Sequence, residues 1–287
     1  MVWITKSTGK IVKFNINKIR RTCRRAGASK QLADQIAKKV EQKVTGGMST
    51  QEVLNITLHL LRRDMPTVAM RYDLKGSLLR LGPSGFSFEQ LVASVLKSHG
   101  YKTKINSILK GGSGITHEID VIASKSIKVP KGIDTPDMKN YVIECKYHAS
   151  PGIYTGVKDV LYTYARFLDI QDASKKGLGP KFDQSWLATN TMFSKDVIKY
   201  AEAKGIRLLS WNYPRGNSLR ELMVQNNLYP ITALHTLDTN TQGKLATVGI
   251  VLINEMVKID PTILSQKTGI SIRIIKQLQT EAEKIIQ

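Results

Sequence analysis

Two carboxylates and one lysine stand in otherwise apolar stretches in the middle of the sequence. Asp120 lies in the run 117–123, and Glu144 and Lys146 lie in the run 141–146. An unpaired charge in an apolar strand is costly, so these side chains need a compensating partner. Carboxylate oxygens are the ligands that hard cations such as Mg²⁺ prefer, and a bound metal ion neutralises phosphate charge and generates hydroxide near neutral pH. The set therefore predicts metal-assisted phosphodiester chemistry.

Spacing along a strand strengthens this prediction for the second run. Glu144 and Lys146 are two residues apart, so both side chains project from one face of the sheet. There the carboxylate can bind a metal and the ammonium can stabilise charge that develops in the transition state. The alternatives are a cross-strand ion pair for Glu144 with Lys146 and an edge-strand charge for Asp120. Glu89 is a further candidate ligand in the first turn of a helix, where the helix dipole also favours an ordinary acid.

The elements that must position these residues follow from periodicity. A helix with capping-box form at 87–90 carries an apolar stripe and ends at Gly100. Strands are predicted at 101–109, 117–123, 141–146, 186–189 and 207–211, with a Gly-rich turn at 111–114 and a polar excursion that contains Pro130, Gly132 and Pro136. Helices separate the last three strands, and the order αβββαβαβ predicts an α/β domain with a mixed sheet.

The segment from Phe88 to Trp211 resembles the PD-(D/E)xK nuclease superfamily, in its Mrr-like branch that also includes archaeal Holliday-junction resolvases. Four short motifs carry the resemblance: 88–89, 100–101, 118–121 and 143–146. The resemblance implies DNA as the substrate, with Mg²⁺ or Mn²⁺ as the cofactor. It implies metal ligands at Asp120 and Glu144, an accessory acid at Glu89, and a catalytic Lys146 that orients water or stabilises charge.

Two neighbours of Asp120 depart from the simpler members of that superfamily. Glu118 shares a strand face with Asp120 in an ideal strand, which makes it a competing ligand candidate, whereas His117 points to the opposite face. His117 is interpreted as structural or substrate-facing rather than as a ligand. The five histidines of the chain show neither HxH nor HExxH spacing, which argues against a histidine-based metal site.

The N-terminal part of the sequence is strongly basic. Of the net charge of +20, about +12 lies in residues 1–83, which hold 17 basic and 5 acidic residues. Strands at 3–5 and 11–14 predict a hairpin, and helices follow from Asn17, from Leu32, after a capping box at 49–52, and over 68–81. Charge of this sign favours polyanionic partners. On charge alone, a solvated helix face and nonspecific DNA binding stay open beside nucleotide binding.

Residues 3 to about 80 resemble the ATP-cone, a regulatory nucleotide-binding module of ribonucleotide reductases and some transcriptional repressors. The motifs at 3–6, 14–19 and 71–75, together with Gly9, carry the match. The resemblance implies that ATP or dATP is bound by a set of hairpin and helix residues, namely Ile4, Lys6, Asn15, Lys18 and Thr22. Cations beside a helix N-terminus suit a triphosphate.

The C-terminal part predicts only helices, at 219–226, 231–237, 241–257, 261–268 and 271–286. It resembles tandem helix-hairpin-helix modules, with candidate hairpins at 247–250 and 267–271, which implies backbone contacts to DNA phosphates. A helical bundle that joins copies of the chain into a homo-oligomer is the alternative.

Cysteine usage and hydropathy complete the prediction. Cys23 and Cys145 are far apart and show no CxxC spacing, which argues against a disulfide framework or a thiolate zinc site and predicts two buried thiols. No apolar run approaches the length of a membrane span, so a soluble cytoplasmic protein is expected.

The sequence thus predicts a multidomain α/β protein with three parts. These are a small helical ATP-cone with an N-terminal β-hairpin (1–83), a central α/β nuclease with a mixed sheet (84–213) and an all-α region (214–287). The predicted function is a metal-dependent endodeoxyribonuclease that ATP or dATP regulates. The alternative is a nucleotide-responsive DNA-binding regulator without nuclease activity.

Overall fold

The computed structural model describes residues 2–6, 8–82, 85–127 and 137–286. The excursion predicted around Pro130, Gly132 and Pro136 lies outside these residues. No helix in the described ranges is long and apolar enough to cross a membrane. Cys23 and Cys145 are free and buried, as predicted.

The N-terminal region is a two-stranded hairpin on a layer of helices. Its elements are β1 (Trp3–Thr5), β2 (Ile11–Lys13), α1 (Ile16–Arg25), α2 (Lys30–Lys43) and α3 (Thr50–Asp64). The capping box predicted for α3 is confirmed: Ser49 Oγ accepts the Glu52 N–H at 3.1 Å, and Glu52 Oε2 accepts the Ser49 N–H at 2.7 Å. Residues from Ile4 to Ala69 form a hydrophobic cluster separate from the rest of the chain.

The predicted helix over 68–81 is wrong, because the chain forms two short helices, α4 (Pro66–Tyr72) and α5 (Leu74–Leu79). They meet at Asp73, whose φ of −96° and ψ of 10° depart from helical values. Apolar side chains before the break, at Val68 and Ala69, belong to the N-terminal cluster. Met70, before the break, and Leu74 and Leu78, after it, belong to the core of the remaining chain. Helix α4 therefore contributes to both cores, and α5 contributes to the second.

The central region confirms the αβββαβαβ order and the mixed sheet. In chain order its main elements are α6 (Phe86–Ser98), β3 (Lys102–Lys110), β4 (Thr116–Ile127), β5 (Asp137–Lys146), α7 (Val157–Lys175), β7 (Gln184–Thr189), α8 (Lys195–Lys204) and β9 (Arg207–Leu209). The sheet order is β3-β4-β5-β7-β9, with antiparallel pairs up to β5 and parallel pairs beyond it. A small parallel pair, β6 (Tyr154–Thr155) with β8 (Met192–Phe193), flanks it.

Helices cover both faces of this sheet. Phe88 and Leu91 of α6 pack in a core with Ile143 and Trp186. On the other face, Phe167 and Ile170 of α7 pack against Ile119 and Val142. The capping box predicted at 87–90 is wrong: α6 begins after Gly85 and no side chain caps it.

The C-terminal region is helical, as predicted, and packs on the α6 side. Its elements are α9 (Leu219–Gln225), a 3-10 turn (Ile231–Ala233), α10 (Thr239–Thr247), α11 (Ile253–Met256), α12 (Pro261–Thr268) and α13 (Ile272–Ile286). The predicted helix over 241–257 is wrong. It divides at Gly249, whose φ of +80° is a left-handed conformation that ends α10. Apolar residues of this region, such as Leu245 and Leu278, share one core with α6 and the sheet.

Candidate active site

Glu144 and Lys146 project together from the α7 face of β5. The Lys146 Nζ lies 2.8 Å from Glu144 Oε1, which confirms the predicted common face. The second carboxylate oxygen, Oε2, accepts a hydrogen bond from the Arg166 guanidinium of α7 at 2.5 Å. Arg166 also donates to the Glu118 carbonyl at 2.8 Å and to the Tyr162 hydroxyl. Glu144 is only 6% exposed, so two cations compensate a buried charge.

Asp120 sits where the sheet divides. The β4–β5 ladder ends at the pair Val121 and Ile143. One position further, the Asp120 carboxylate replaces a backbone partner, because its Oδ2 accepts the Cys145 N–H at 2.6 Å. The hydrogen bond holds one oxygen of Asp120 against β5 immediately beside Glu144.

The β3–β4 pairing is interrupted at Asp120. The ladder skips Asn106 and Asp120 but keeps the same register on both sides, and Asn106 adopts a left-handed φ of +47°. Ile119 packs with the α7-side residues, but Val121, two positions on, packs on the α6 side. The alternation of side chains between the two faces of the sheet therefore fails across Asp120. Strand periodicity does not place Glu118 and Asp120 on one face here.

Glu89 approaches the same place from the first turn of α6. Its half-buried carboxyl has a pKa raised to about 7, first by burial and then by the negative charges of Asp120, Glu118 and Glu144. Burial, followed by the charge of Glu144, raises the pKa of Asp120 to about 6, although the Cys145 N–H opposes this. The structure thus gathers all four predicted catalytic residues into one cluster of mutually repelling carboxylates beside a lysine.

The environment of Lys146 and Cys145 fixes their protonation. Burial lowers the pKa of Lys146, but the hydrogen bond and negative charge of Glu144 outweigh it, so that pKa is raised and the ammonium stays charged. Burial and then the charge of Asp120 raise the pKa of the Cys145 thiol well above its usual range. Cys145 is therefore a neutral spacer between Glu144 and Lys146 and is no nucleophile.

The cluster can be tested for its fit to a divalent cation. Across the described parts of the chain, no three His, Cys, Asp or Glu side chains are arranged so that they could already hold a metal ion. The donor chemistry nevertheless fits, because Glu89 and Asp120 are carboxyl groups whose pKa values are raised first by burial and then by neighbouring negative charge, which a hard cation would offset. Glu144 differs, since Lys146 and Arg166 occupy its two oxygens.

His117 has a structural role at the other end of β4. Its Nε2 lies 2.7 Å from Asp169 Oδ2 on α7, and Asp169 also accepts hydrogen bonds from the backbone and hydroxyl of Ser113. A Cβ on Gly111 would lie 1.8 Å from Asp169 Oδ2, and one on Gly112 would lie 2.2 Å from an oxygen of Asp172. The Gly-rich turn is therefore the place where α7 docks closely on the hairpin.

Arg166 is a partner of the cluster that the sequence does not indicate. Its i, i+4 spacing from Tyr162 shows only that the two residues share a helix face, and the pairing with Glu144 joins residues from separate elements. Tyr147, which follows Lys146, points away from the cluster, and its hydroxyl donates to the Leu79 carbonyl at 2.7 Å.

The proposed nucleotide residues mostly line one cavity of about 160 Å³ in the N-terminal region. Ile4, Lys6, Asn15 and Lys18 surround it. Thr22 lies one turn further along α1, outside the lining, where its hydroxyl donates to the Lys18 carbonyl at 2.8 Å. The sequence reading missed several lining residues, Tyr72 of α4 among them. The Asn15 side chain caps α1 by accepting the Asn17 N–H.

Three known families match three successive parts of the chain. The ATP-cone domain family matches residues 3–74, the restriction endonuclease family of the Mrr catalytic type matches residues 82–223, and the AF1548-like C-terminal family matches residues 229–286. These ranges describe the matches, and the predicted boundaries at 83 and 213 stay predictions.

An uncharacterised protein of Archaeoglobus fulgidus is 37% identical over 195 residues, which are 68% of this chain and 99% of that protein. The crystal structure of AF1548, a protein of unknown function, matches with a TM-score of 0.58 and 36% identity, over 71% of this chain and 98% of that chain. The DNA modification-dependent restriction endonuclease AspBHI has a TM-score of 0.37 and 10% identity, over 75% of this chain and 40% of its own, too low to support an argument.

The chain belongs to the same family as the Archaeoglobus protein, and it contains a restriction endonuclease domain of the Mrr catalytic type with an ATP-cone before it. Its C-terminal helices are of the type found in AF1548. There, Gly269 has a left-handed φ of +65° between α12 and α13, at the second predicted hairpin.

Proposed function

We propose that the chain is a divalent-metal-dependent endodeoxyribonuclease whose catalytic residues are Glu89, Asp120, Glu144 and Lys146. The observation that carries the proposal is the convergence of three carboxylates and an ammonium where β4 and β5 separate. Burial and then neighbouring negative charge raise the pKa values of Glu89 and Asp120, and carboxyl groups perturbed in this way cluster at functional sites.

Mg²⁺ or Mn²⁺ would be held by Asp120, Glu89 and Glu144, and the bound ion would supply Lewis-acid activation of water and of a DNA phosphate. One oxygen of Asp120 accepts the Cys145 N–H, so its other oxygen is the one that would bind the metal ion. Lys146 keeps its proton and places positive charge beside the scissile phosphate. Arg166 and Lys146 hold the Glu144 carboxylate in a fixed orientation until substrate and metal compete for it.

The test is cleavage of linear, supercoiled and branched DNA with Mg²⁺ or Mn²⁺. Asp120→Asn and Lys146→Ala are expected to lower the rate at least about 100-fold, because each removes an interaction that is strongest in the transition state. Glu202→Gln, an exposed acid on α8, is the matched control and should cut like wild type. Wild-type protein that leaves all three substrates intact, or variants that cut at full rate, would overturn the proposal.

A DNA-binding regulator without nuclease activity is the second candidate. The pairing of Glu144 with two cations favours it, because that carboxylate is already neutralised without a metal. The regulator would bind DNA in the same assay and leave it uncut with either metal. Cleavage by wild type with loss in Asp120→Asn decides for the nuclease.

We further propose that the N-terminal cavity binds ATP or dATP and thereby regulates the endonuclease. The support is the placement of Lys6 and Lys18 at one cavity with Ile4 and Asn15. Calorimetry should show binding of either nucleotide, and a double variant, Lys6→Ala with Lys18→Ala, should weaken it at least about tenfold. Lys38→Ala, on the exposed face of α2, controls for the loss of basic charge. Equal affinity of the double variant and wild type would remove the site.

A further inference from the structure

Helix α7 is apolar on two opposite sides. One side, with Val160, Thr163, Phe167 and Ile170, is buried on the sheet. A surface helix normally presents one apolar side to the core and charged or polar residues on the opposite side. The monomer covers only one side of this helix.

The uncovered side forms a continuous line, which we call the α7 stripe. It consists of Val157, Leu161, Ala165 and Leu168, at spacings of four, four and three residues, which place them on one helix face. All four are exposed, Leu161 at 44% and Leu168 at 46%. Within the described ranges, six of the sixteen large exposed hydrophobic side chains fall between residues 153 and 168. Clustering of this kind marks an interaction surface rather than scattered exposure.

We infer that the α7 stripe is a self-association surface on which a second copy of this chain packs with its own α7 antiparallel to the first. A two-fold dimer requires a surface complementary to itself. Ala165, the smallest residue of the stripe, lies near its middle, where two crossing helices come closest. Lys158 lies seven residues before Ala165 and Asp172 seven residues after it, so the three lie along one helix line.

This spacing makes the charges self-complementary. With the two-fold axis at Ala165, Lys158 of one copy lies beside Asp172 of the partner subunit, and the reverse pair forms at the other end. Lys158 is exposed, and the Asp172 side chain is 48% exposed with Lys176 as its present partner. Nucleic acid is a poor occupant, because the stripe offers apolar atoms where phosphate contacts need cations and N–H donors.

The surface adjoins the candidate active site. Tyr162 and Arg166 each follow a stripe residue directly, and both reach the Glu144 cluster. A dimer through α7 would therefore hold two active sites on either side of one axis, which suits cutting of both DNA strands. That consequence rests on the proposed nuclease function, whereas the dimer itself does not.

Sedimentation over a concentration series tests the dimer without any activity measurement. Wild type should dimerise, and Leu161→Glu should weaken self-association at least about tenfold, because it places a charge in the apolar stripe. Leu178→Glu is the matched control: Leu178 is 61% exposed, lies beyond the end of α7 and should leave the dimer intact. Both leucines are exposed in the monomer, so both variants should keep the wild-type far-ultraviolet circular dichroism spectrum. A monomeric wild type, or a Leu161→Glu variant that dimerises as well as wild type, overturns the proposal.

Cross-linking tests where the axis lies. Ala165→Cys should form a disulfide-linked dimer under mild oxidation, since the two copies of this position meet at the axis. Lys199→Cys, exposed on α8, should not, and the native Cys23 and Cys145 are buried. Lys158→Glu should weaken the dimer, most at low salt, because the introduced carboxylate would face Asp172 of the partner subunit. Equal cross-linking at 165 and 199 would overturn the antiparallel arrangement.

Because sedimentation does not depend on DNA, its outcome is separate from that of the cleavage assay. A dimer that cuts nothing would overturn the proposed function and leave the surface standing. A monomer that cuts DNA would do the reverse.

Discussion

The N-terminal region and the remainder of the chain bury their apolar residues in different ways. The first keeps a cluster of its own, from Ile4 to Ala69. The central and C-terminal regions share one core, in which α6 lies between the sheet and the C-terminal helices. The family matches divide the chain into three parts, but the largest core joins the central and C-terminal parts, and two smaller clusters lie within the central part. A unit of sequence similarity is thus not always a unit of stability.

The joint between the two cores is a short stretch with several tertiary hydrogen bonds. Arg71 donates to the Tyr229 hydroxyl at 2.9 Å, and Arg80 pairs with Asp73 at 2.7 Å. The Tyr147 hydroxyl donates to the Leu79 carbonyl. Tyr72, between these contacts, lines the candidate nucleotide cavity. Tyr147, which follows Lys146, is therefore hydrogen-bonded to α5, the helix that comes after Tyr72 in the sequence.

The largest effect is expected from Leu278→Ala in the shared core. Leu278 is 1% exposed on α13, and truncating such a leucine costs roughly 3 kcal/mol in the free energy of unfolding. The sheet and the C-terminal helices should lose stability together. Tryptophan fluorescence in urea reports this transition in a Trp3→Phe background, because Trp186 and Trp211 lie in the shared core. Two separate transitions, only one of them shifted, would show that the C-terminal helices fold independently.

Ile36→Ala makes the corresponding change in the N-terminal cluster. Ile36 is fully buried on α2, and its truncation also costs about 2–5 kcal/mol, here confined to the ATP-cone. Hydrogen exchange should accelerate in α1 to α3, while the fluorescence transition of the shared core keeps its midpoint. A midpoint that moves as far as it does in Leu278→Ala would mean that the two cores unfold as one.

Tyr147→Phe tests the joint with a smaller expected effect. It removes one hydrogen bond to the Leu79 carbonyl, worth about 1 kcal/mol, and keeps the ring that packs 5.9 Å from Phe88. Amide exchange in α5 should rise, with little change in α2 or α13. Unchanged exchange in α5 would show that this hydrogen bond does not hold the joint.

The smallest effect is expected at the contact between α7 and the β3–β4 turn. Hydrogen bonds from His117 and then Ser113 lower the pKa of Asp169 from 3.8 to about 2. A carboxyl whose pKa is lower in the folded state stabilises the fold above its unfolded value, and the gain is lost as pH falls through the folded value. Asp169→Asn should therefore lower the free energy of unfolding at neutral pH. The variant should also lose less of that free energy than wild type as the pH falls from 3.8 to about 2. The measurement is the free energy of unfolding of wild type and of Asp169→Asn as a function of pH. Parallel curves would contradict the lowered pKa of Asp169.

Local patterns in the sequence were enough to predict much of this architecture. Period-two spacing predicted the common face of Glu144 and Lys146, and alternating helices and strands predicted the mixed sheet. The capping box at Ser49 was predicted correctly, whereas the one at 87–90 was wrong because α6 already begins at Phe86. The role of Asp120 was argued from its charge in an apolar strand and that of Glu89 mainly from resemblance, and both stay predictions.

Other features depended on contacts between distant segments. The partnership of Arg166 with Glu144 exists only because α7 docks across β5. The interruption of the ladder at Asp120 coincides with a left-handed Asn106 in the neighbouring strand. The break at Asp73 lies where the chain passes from the N-terminal cluster to the larger core, and no periodicity within 68–81 indicates it. Tertiary packing overrode the local helix pattern there.

The break at Asp73 also determines where the protein can be taken apart. Gly82, the obvious linker, lies after Leu74, Leu78 and Leu81, which already belong to the shared core. A flexible spacer inserted after Gly82 would lengthen the chain and leave the ATP-cone anchored through α5. A spacer at Asp73 would instead disconnect the wall of the nucleotide cavity from the strand that carries Lys146. A graft of the ATP-cone onto another enzyme should therefore end at Asp73, because α5 belongs with the endonuclease domain.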